Sequence, residues 1–297
     1  MHYNPLVSII IPTYHDWERL SKCINALENQ TYGSDMYEVI IVNNDLMDAV
    51  PDNFYNINNL QIITEQKSGS YAARNAGLSI ANGEIIGFTD SDCIPALNWI
   101  EAAVNFFRDN PDVDRVGGRV DLFIAGDKPT LAEAYEIVYA FKQEDNIKLG
   151  VSVTANMFAK KRVFDSIGLF NPDVYSGGDF EWGLRAASHN FKICFSQNVI
   201  VKHPARGDLK QLIGKIRRVA AGKLLLEPKK SNWIFKFLYF IYEFRPPVNE
   251  FKHIRTRGKS LSLEFKFQVF LLRYCIRILR GYEVLKLYNG AKPFKGN

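Results

Sequence analysis

The chain has 297 residues, 47% of them hydrophobic, and a formal net charge of +5, which is enough apolar sequence for one large domain or two smaller ones. The spacing of the four cysteines predicts neither a disulfide framework nor a zinc site and indicates buried thiols in a reducing compartment: Cys23, Cys93, Cys194 and Cys275. No secretory signal is expected at the start of the chain, and no run approaches the ~20 apolar residues of a spanning helix.

The charge is unevenly distributed along the chain. Residues 1–201 contain 15 Lys and Arg against 26 Asp and Glu, a net charge of −11. Residues 202–297 contain 22 against 6, a net charge of +16. An acidic body followed by a basic final third indicates two regions with different partners.

The first 112 residues alternate predicted strands with predicted helices. Apolar, β-branched runs predict buried strands at LVSIIIPTY, YEVIIVNND, LQIITE and EIIGFT. Helices are predicted from Trp17 to about Glu28 with Asp16 as N-cap, and in SYAARNAGLSIAN and NWIEAAVNFFRDNP. Strands that are apolar on both faces and alternate with helices predict a parallel sheet with helices on both sides.

Polar residues stand at the predicted carboxyl ends of these strands, where ligands bind in such sheets: Tyr14, Asn43, Asn44, Asp90 and Asp92. Asp90 and Asp92 follow the buried run in GEIIGFTDSDC. Paired carboxylates at a strand end suit Mg²⁺ or Mn²⁺ bound together with substrate phosphates. The alternative is a turn in which an aspartate accepts hydrogen bonds from nearby backbone N–H groups.

The pattern is looser after Asp112. We predict a strand with a kink at Gly117-Gly118, a helix in TLAEAYEIVYAFK and a mobile polar loop in QEDNIKLGVS. A strand leading into a helix is predicted in TANMFAKKRVFDSIGLF, a further helix in GGDFEWGLRAASHN, and one or two strands in FKICFSQNVIVKHP.

Several of these segments together resemble successive motifs of the family 2 glycosyltransferases: VSIIIPTYHDWERLSKCINALENQTY, YEVIIVNND, GSYAARNAGL and GEIIGFTDSDC. The resemblance continues through TANMFAKKRVFDSIGLFNPDVYSGGDFEWGLRA to VIVKHPAR and covers about residues 6–220. It implies the α/β GT-A fold, a Rossmann-like nucleotide-diphospho-sugar transferase with a mostly parallel sheet flanked by helices. It also implies inverting transfer from a nucleotide diphosphate donor that depends on Mn²⁺ or Mg²⁺.

The resemblance also implies a domain organisation. Residues 1–220 would form the catalytic domain, with a nucleotide-sugar-binding half at 1–112 and an acceptor-binding half at 113–220. Residues 221–297 would form a basic, amphipathic, helical C-terminal region.

By matching motif, one set of residues is expected to bind the nucleotide sugar: Pro12, Thr13, Tyr14, Asn43, Asn44, Arg74, Asp90, Ser91, Arg206, Arg217 and Arg218. Asn43 and Asn44 stand where the family commonly has two aspartates; their amides can still bond a pyrimidine, or they form an ordinary turn. The arginines would contact the diphosphate, or else lie on solvated helix faces.

The resemblance places metal ligands at Asp92 and Asp90, with His203 completing the shell, although a lone histidine is more often structural. GGDFEW occupies the place of the family's Glu-Asp catalytic motif, and Gly178 replaces the first acid. Asp179 is therefore the candidate base that deprotonates the acceptor hydroxyl, or else a helix cap.

Acceptor contacts are expected from Glu181 and Trp182, which follow Asp179. The alternative for Glu181 is an i,i+4 pair with Arg185, which is slightly favoured over a direct role. The alternative for Trp182 is core packing.

The basic stripe Lys266, Arg273, Arg277 and Arg280 in the C-terminal region is typical of an interfacial helix, with its cations toward anionic headgroups. The alternative is a helix packed on the catalytic domain or at a dimer interface. Nucleic acid is not an expected partner, because no binding motif accompanies the charge.

The resemblance, together with the basic C-terminal region, implies a nucleotide-sugar-dependent hexosyltransferase for polysaccharide or glycolipid assembly. It would transfer a sugar from a UDP-sugar to a glycan or lipid-linked acceptor. The enzyme would lie peripherally on the cytoplasmic face of the membrane, and a homo-oligomer is compatible with the sequence. Rival hypotheses are a non-catalytic GT-A scaffold or lipid-binding partner, supported by Asn43-Asn44 and Gly178, and a nucleotidyltransferase. The latter would need a Gly-rich basic loop, which PTYHDWERL lacks.

Overall fold

The computed structural model describes residues 4–55, 57–226, 238, 241–292 and 294. The chain divides into two compact units. The first comprises Met1–Asp121, Phe141–Val174 and Gly178–His203, and the second comprises Leu122–Ala140, Tyr175–Gly177 and Pro204–Asn297. The predicted domain boundary at residue 220 stays a prediction. Within the predicted C-terminal region, most residues between 227 and 240 lie outside the described part of the chain.

The described strands form one sheet. Their bounds are β1 Val7–Thr13, β2 Tyr37–Asn43, β3 Leu60–Thr64, β4 Ile85–Thr89, β5 Ile94–Pro95, β6 Arg115–Phe123, β7 Asn156–Lys160 and β8 Ile193–Pro204. The strand order is β3-β2-β1-β4-β7-β6-β8-β5. Strand β1 is parallel to β2 and β4, and β2 to β3, whereas β7 is antiparallel to β4 and β6, and β5 to β8. The predicted parallel arrangement is therefore confirmed for the first four long strands, and the later strands add antiparallel pairs.

The described helices account for the other predicted elements. Their bounds are α1 Trp17–Glu28, α2 Ser70–Ile80, α3 Trp99–Asp109, α4 Leu131–Tyr139, α5 Gln143–Lys148, α6 Lys161–Ile167, α7 Gly178–Ser188, α8 Leu209–Leu226, α9 Phe251–Arg257 and α10 Leu263–Tyr288. The prediction of a mobile loop at QEDNIKLGVS is wrong, because α5 begins there. The buried Gln143 side chain ties α5 to the chain by donating to Ser152 Oγ and to the carbonyl of Asn156.

The core of the first unit forms where the apolar stripe of α1 meets the sheet. Leu20, Cys23, Ile24 and Leu27 are the buried positions of α1, and they recur at helical spacing. They belong to the same core cluster as the alternate β1 residues Val7, Ile9 and Ile11, which have no exposed surface. Each fully buried side chain of this size contributes about 1.5–3 kcal/mol relative to exposure.

The cysteines are free thiols. Cys23 and Cys93 are buried, as the sequence predicted, and Cys194 is half-buried. The prediction is wrong for Cys275, which is exposed on α10.

The arginines of α10 point inward within the second unit. Arg273 donates to Glu250 at 2.7 Å, and Arg280 donates to Glu243 at 2.6 Å. Arg277 lies 3.5 Å from the same Glu243, which is only 2% exposed. The predicted orientation toward headgroups is therefore wrong for these three arginines, because buried carboxylates need charged partners and the arginines supply them.

The outward face of α10 is apolar instead. Leu263, Phe267 and Leu271 recur every four residues and are 84%, 59% and 47% exposed, and Tyr282 further along is 54% exposed. Within the part of the chain that the structure describes, no helix has the length and apolar character needed to cross a membrane.

Candidate active site

The carboxyl ends of three strands meet at one edge of the sheet, because β1 pairs in parallel with both β2 and β4. Thr13 ends β1, Asn43 ends β2, and Asp90 directly follows β4. The structure thus brings together the strand ends at which the sequence predicted a ligand site.

A cluster of possible metal ligands lies beside these ends. Asp90, Asp92, Cys93 and His203 each offer a ligand atom, and all four atoms lie within 4.8 Å of one another. Burial, with Asp90 and Asp92 nearby, raises the pKa of the Cys93 thiol well above its usual range, so it stays protonated. Two carboxylates and an imidazole remain, and this donor set fits a hard divalent cation such as Mn²⁺ or Mg²⁺.

The Asp92 carboxylate is partly buried, with 19% of its side chain exposed. Burial raises its pKa, His203 opposes that shift, and Asp90 adds to it. His203 Nε2 lies 3.4 Å from Asp92 Oδ1, and the His203 side chain is 5% exposed. A cation at this position would offset the cost of burying the carboxylate.

Arg74 holds the other aspartate of the pair. Its NH2 group donates to Asp90 Oδ1 at 2.5 Å, and the Arg74 side chain is 4% exposed. Arg74 was predicted to bind the diphosphate or to lie on the helix surface. The surface alternative is wrong, because the side chain is buried and fixes one Asp90 oxygen in place, and contact of Arg74 with a diphosphate stays a prediction.

Asp16 makes side-chain contacts that differ from the predicted helix cap. No capping hydrogen bond forms at the start of α1. Instead its carboxylate accepts from Arg19 Nε at 2.7 Å and from Ser91 Oγ at 2.8 Å. Arg19 Nη1 lies 3.5 Å from Asp92 Oδ2. Sequence analysis missed Arg19, and its spacing of three residues from Asp16 in the first turn of α1 was the available signal.

The predicted base and ribose pocket begins at the end of β1. Tyr14 is 55% exposed, and its ring contacts His15 edge-on with centroids 4.4 Å apart. Thr13 is buried, and its hydroxyl has no hydrogen-bond partner among the described residues. The roles of Thr13, Tyr14 and Pro12 in nucleotide binding stay predictions.

Asn43 and Asn44 both hold backbone segments in place. The Asn44 amide donates to the carbonyls of Glu65 and Lys67 at 2.9 and 2.8 Å, and its oxygen accepts from the Gly69 N–H at 2.7 Å. Asn43 is likewise bonded to backbone groups of the turn after β2. Contact with a nucleobase through an amide N–H of Asn44 would require one of these bonds to open, so base binding here stays a prediction.

Asp179 lies in the first turn of α7 and is 9% exposed. Its Oδ1 accepts from the Tyr71 hydroxyl at 2.8 Å and from the Phe180 N–H at 3.0 Å, and its Oδ2 from the Thr154 N–H at 3.4 Å. Burial raises the pKa of Asp179, and the hydrogen bond from Tyr71 and the charge of Arg74 partly oppose that shift. A carboxylate with a raised pKa is suited to accept a proton near neutral pH.

The two predicted acceptor contacts have other partners. Glu181 forms the i,i+4 pair with Arg185, at 3.0 Å. Trp182 has no exposed surface, stacks on Phe164 at 4.4 Å and donates to the carbonyl of Gly168 at 2.9 Å. Trp182 is thus a core residue, as the packing alternative had it, and offers no face to a sugar.

Two of the arginines predicted to reach the diphosphate, Arg206 and Arg217, have partners within the second unit. Arg206 and Lys215 donate to Glu136 at 2.9 and 2.8 Å. Burial opposes ionisation of Glu136, but the two cations outweigh it and lower its pKa to about 2. Arg217 donates to a carboxylate of α10 at 2.9 Å, and Arg218 is its neighbour on α8. Their contacts with a diphosphate stay predictions.

Comparisons with known proteins agree with this architecture. A family model described as "Glycosyl transferase family 2" matches residues 8–168. Glycosyltransferase AglE of Haloferax volcanii is 32% identical over 286 residues, with 92% of this chain and 93% of AglE covered. A dolichyl N-acetyl-alpha-D-glucosaminyl phosphate 3-beta-D-2,3-diacetamido-2,3-dideoxy-beta-D-glucuronosyltransferase of Methanococcus voltae is 24% identical over 325 residues, with 97% and 99% covered.

Among solved structures, the mannosyltransferase PcManGT of Pyrobaculum calidifontis, in complex with GDP-Man and Mn²⁺, matches with a TM-score of 0.65. The match covers 97% of this chain and 89% of that chain, at 18% sequence identity. At this identity the similarity establishes a common fold.

Proposed function

The chain belongs to glycosyl transferase family 2, and from that premise we propose that it is a metal-dependent, inverting glycosyltransferase that extends a lipid-linked glycan. The observation that carries the proposal is the cluster of Asp90, Asp92 and His203 at the strand ends. The two relatives covered over more than nine-tenths of their length support a glycan-building role, and the name of one includes a dolichyl-linked phosphate sugar. The non-catalytic alternative is disfavoured because the cluster and Asp179 occur together.

On the donor side, Asp92, Asp90 and His203 would hold the cation. A bound divalent cation neutralises charge that develops on a departing diphosphate. Arg74 orients Asp90, since it donates to one of its oxygens at 2.5 Å. Arg19, which is half exposed beside Asp92, would contact a phosphate oxygen at the mouth of the cluster.

On the acceptor side, Asp179 would remove the proton of the attacking hydroxyl. The acceptor oxygen would attack C1 of the donor sugar from the face opposite the diphosphate, which inverts the configuration at that carbon. Because burial raises the pKa of Asp179, its carboxylate has a stronger tendency to take that proton than an exposed aspartate has. Asp179 would therefore couple deprotonation to attack.

Donor identity can be tested by thermal unfolding. We propose a UDP-sugar as donor; the structural neighbour was solved with GDP-Man, so both nucleotide classes belong in the panel. A ligand present at about 100 times its Kd stabilises the folded state by about 2.7 kcal/mol. We expect UDP-sugars with Mn²⁺ to raise Tm by several degrees and EDTA to abolish the shift. A larger shift with GDP-sugars would revise the base, and no shift with any nucleotide sugar would contradict the proposal.

The second unit carries features that support contact with an anionic lipid surface. Leu263, Phe267 and Leu271 form an exposed apolar row on α10. Exposed cations occur nearby in the chain at Lys252 and Lys259, and residues 202–297 carry a net charge of +16. An apolar row accompanied by excess positive charge is typical of peripheral binding to anionic membranes. We propose that this surface holds the enzyme on the inner face of the cell membrane, close to a lipid-linked acceptor.

Vesicle sedimentation tests this contact. We expect binding to vesicles that contain anionic lipid, weaker binding to neutral vesicles, and weakening by salt. The double variant F267S/L271S removes two apolar anchors and should weaken binding more than tenfold, whereas Leu149→Ser, at an exposed leucine of the first unit, should not. Equal binding of the wild type and the double variant would contradict the contact. Self-association without vesicle binding would instead show that a second copy covers the row.

A further inference from the structure

The carboxylate of Asp179 is held unequally at its two oxygens. Oδ1 accepts two hydrogen bonds, from the Tyr71 hydroxyl at 2.8 Å and from the Phe180 N–H at 3.0 Å. Among the described residues, Oδ2 accepts one long hydrogen bond, from the Thr154 N–H at 3.4 Å. Oδ1 is therefore the anchored oxygen. Oδ2 accepts only the weaker hydrogen bond and has the greater capacity to accept a proton from a substrate.

Tyr71 is itself fixed in place. It lies in the first turn of α2 and is 6% exposed. Its ring packs against Phe170 with centroids 5.7 Å apart, and the guanidinium of Arg74 lies 5.7 Å from its centroid. A buried hydroxyl on a ring that is held by neighbouring side chains provides a hydrogen bond of defined direction.

Gly178 provides the space that the Tyr71 ring occupies. A Cβ atom at residue 178 would lie 2.8 Å from both Cδ2 and Cε2 of Tyr71, which is closer than real side chains approach. The first acid of the family's usual pair is missing at this position. The structure shows that a side chain here and the Tyr71 ring would compete for the same volume.

We propose that Tyr71 is a positioning residue, which anchors Oδ1 of Asp179 so that Oδ2 faces the acceptor proton, and that Gly178 is required because the Tyr71 ring fills its side-chain space. This inference rests on the proposed function, since it assumes that Asp179 is the base. It adds the residue that orients the base, which lies 108 positions away in the sequence.

Tyr71→Phe tests the role of the hydroxyl while keeping the ring. A misplaced catalytic group costs about 100-fold in rate, so we expect kcat to fall about 10- to 100-fold with the donor KM unchanged. In the wild type the hydrogen bond from Tyr71 lowers the pKa of Asp179, so its removal should raise that pKa. The acid limb of the pH–rate profile should therefore move to higher pH. Arg74 and the N–H groups of Phe180 and Thr154 still face the carboxylate in the variant.

Tyr37→Phe is the matched control. Tyr37 is also buried, and its hydroxyl donates at 2.8 Å to the carbonyl of Leu27, a backbone group outside the site. The control should lose comparable thermal stability but keep the wild-type kcat and pH profile. Wild-type kcat and pH profile in Tyr71→Phe would overturn the inference, provided that Asp179→Asn is inactive. Full activity of Asp179→Asn would instead remove Asp179 as base, and the proposed function would fail first.

A double-mutant cycle tests the shared volume. Gly178→Ala should lower Tm markedly in the wild-type background, where the new Cβ meets the ring. The same change in a Tyr71→Ala background should cost much less, because the ring is gone. Equal losses in both backgrounds would show that Gly178 is required for another reason.

Discussion

The Asp179→Asn enzyme is expected to bind donor and cation normally and to transfer sugar about 10²- to 10⁴-fold more slowly than the wild type. An amide keeps the size of the carboxylate and its acceptor oxygen for the Tyr71 hydroxyl, but it cannot take the acceptor proton. The loss should therefore appear in kcat, measured with saturating donor, while the donor Kd from calorimetry stays within about twofold.

Asp112→Asn is the matched control for this variant. Asp112 pairs with Lys192 on the surface of the first unit, and its side chain is 66% exposed. Both its kcat and its donor affinity should equal those of the wild type. Normal turnover of the Asp179→Asn enzyme would remove Asp179 from the mechanism and transfer the search for a base to another group.

Asp92→Asn should abolish transfer by a different route, through loss of cation and donor binding together. The Asp92 carboxylate lies 3.4 Å from His203 in the cluster, and a neutral amide is a much weaker ligand for Mn²⁺ or Mg²⁺. We expect kcat/KM to fall at least about 1,000-fold, with saturating Mn²⁺ restoring little activity.

The same substitution has a second signature in the metal-free protein. Burial raises the pKa of Asp92, so at neutral pH the charged carboxylate costs folding free energy. Replacing it with a neutral amide should leave Tm in EDTA unchanged or raised. A lowered Tm in EDTA would mean that Asp92 stabilises the fold, and the lost activity could then not be assigned to the cation.

The strand ends and their polar residues were predictable from the sequence because local rules determine them. Apolar β-branched runs specify buried strands, and parallel pairing brings their carboxyl ends together. Asp90 and Asp92 therefore lie where the run GEIIGFT predicts them. The predicted side-chain cap by Asp16 does not form, because its carboxylate accepts hydrogen bonds from Arg19 and Ser91 instead. Ser91 is 75 residues away, so a local rule could not predict that contact.

Contacts between distant segments could not be predicted. A helical spacing identifies which residues share a face, but it does not say what packs against that face. The sequence left the arginine stripe of α10 open between lipid headgroups and protein partners, and the fold pairs Arg280 with the buried Glu243. The sequence left Trp182 open between a sugar contact and core packing, and Phe164 lies against its ring. The contact of Tyr71 with Asp179 belongs to the same class.

The central claim is that a divalent cation binds beside Asp92, and a Mn²⁺ titration followed by electron paramagnetic resonance tests it most directly. In the presence of a nucleoside diphosphate, the wild type and Asp112→Asn should each bind one Mn²⁺ with the same affinity. Asp92→Asn should bind it at least about 100-fold more weakly. Unchanged Mn²⁺ affinity in Asp92→Asn, or no Mn²⁺ bound by the wild type, would contradict the account.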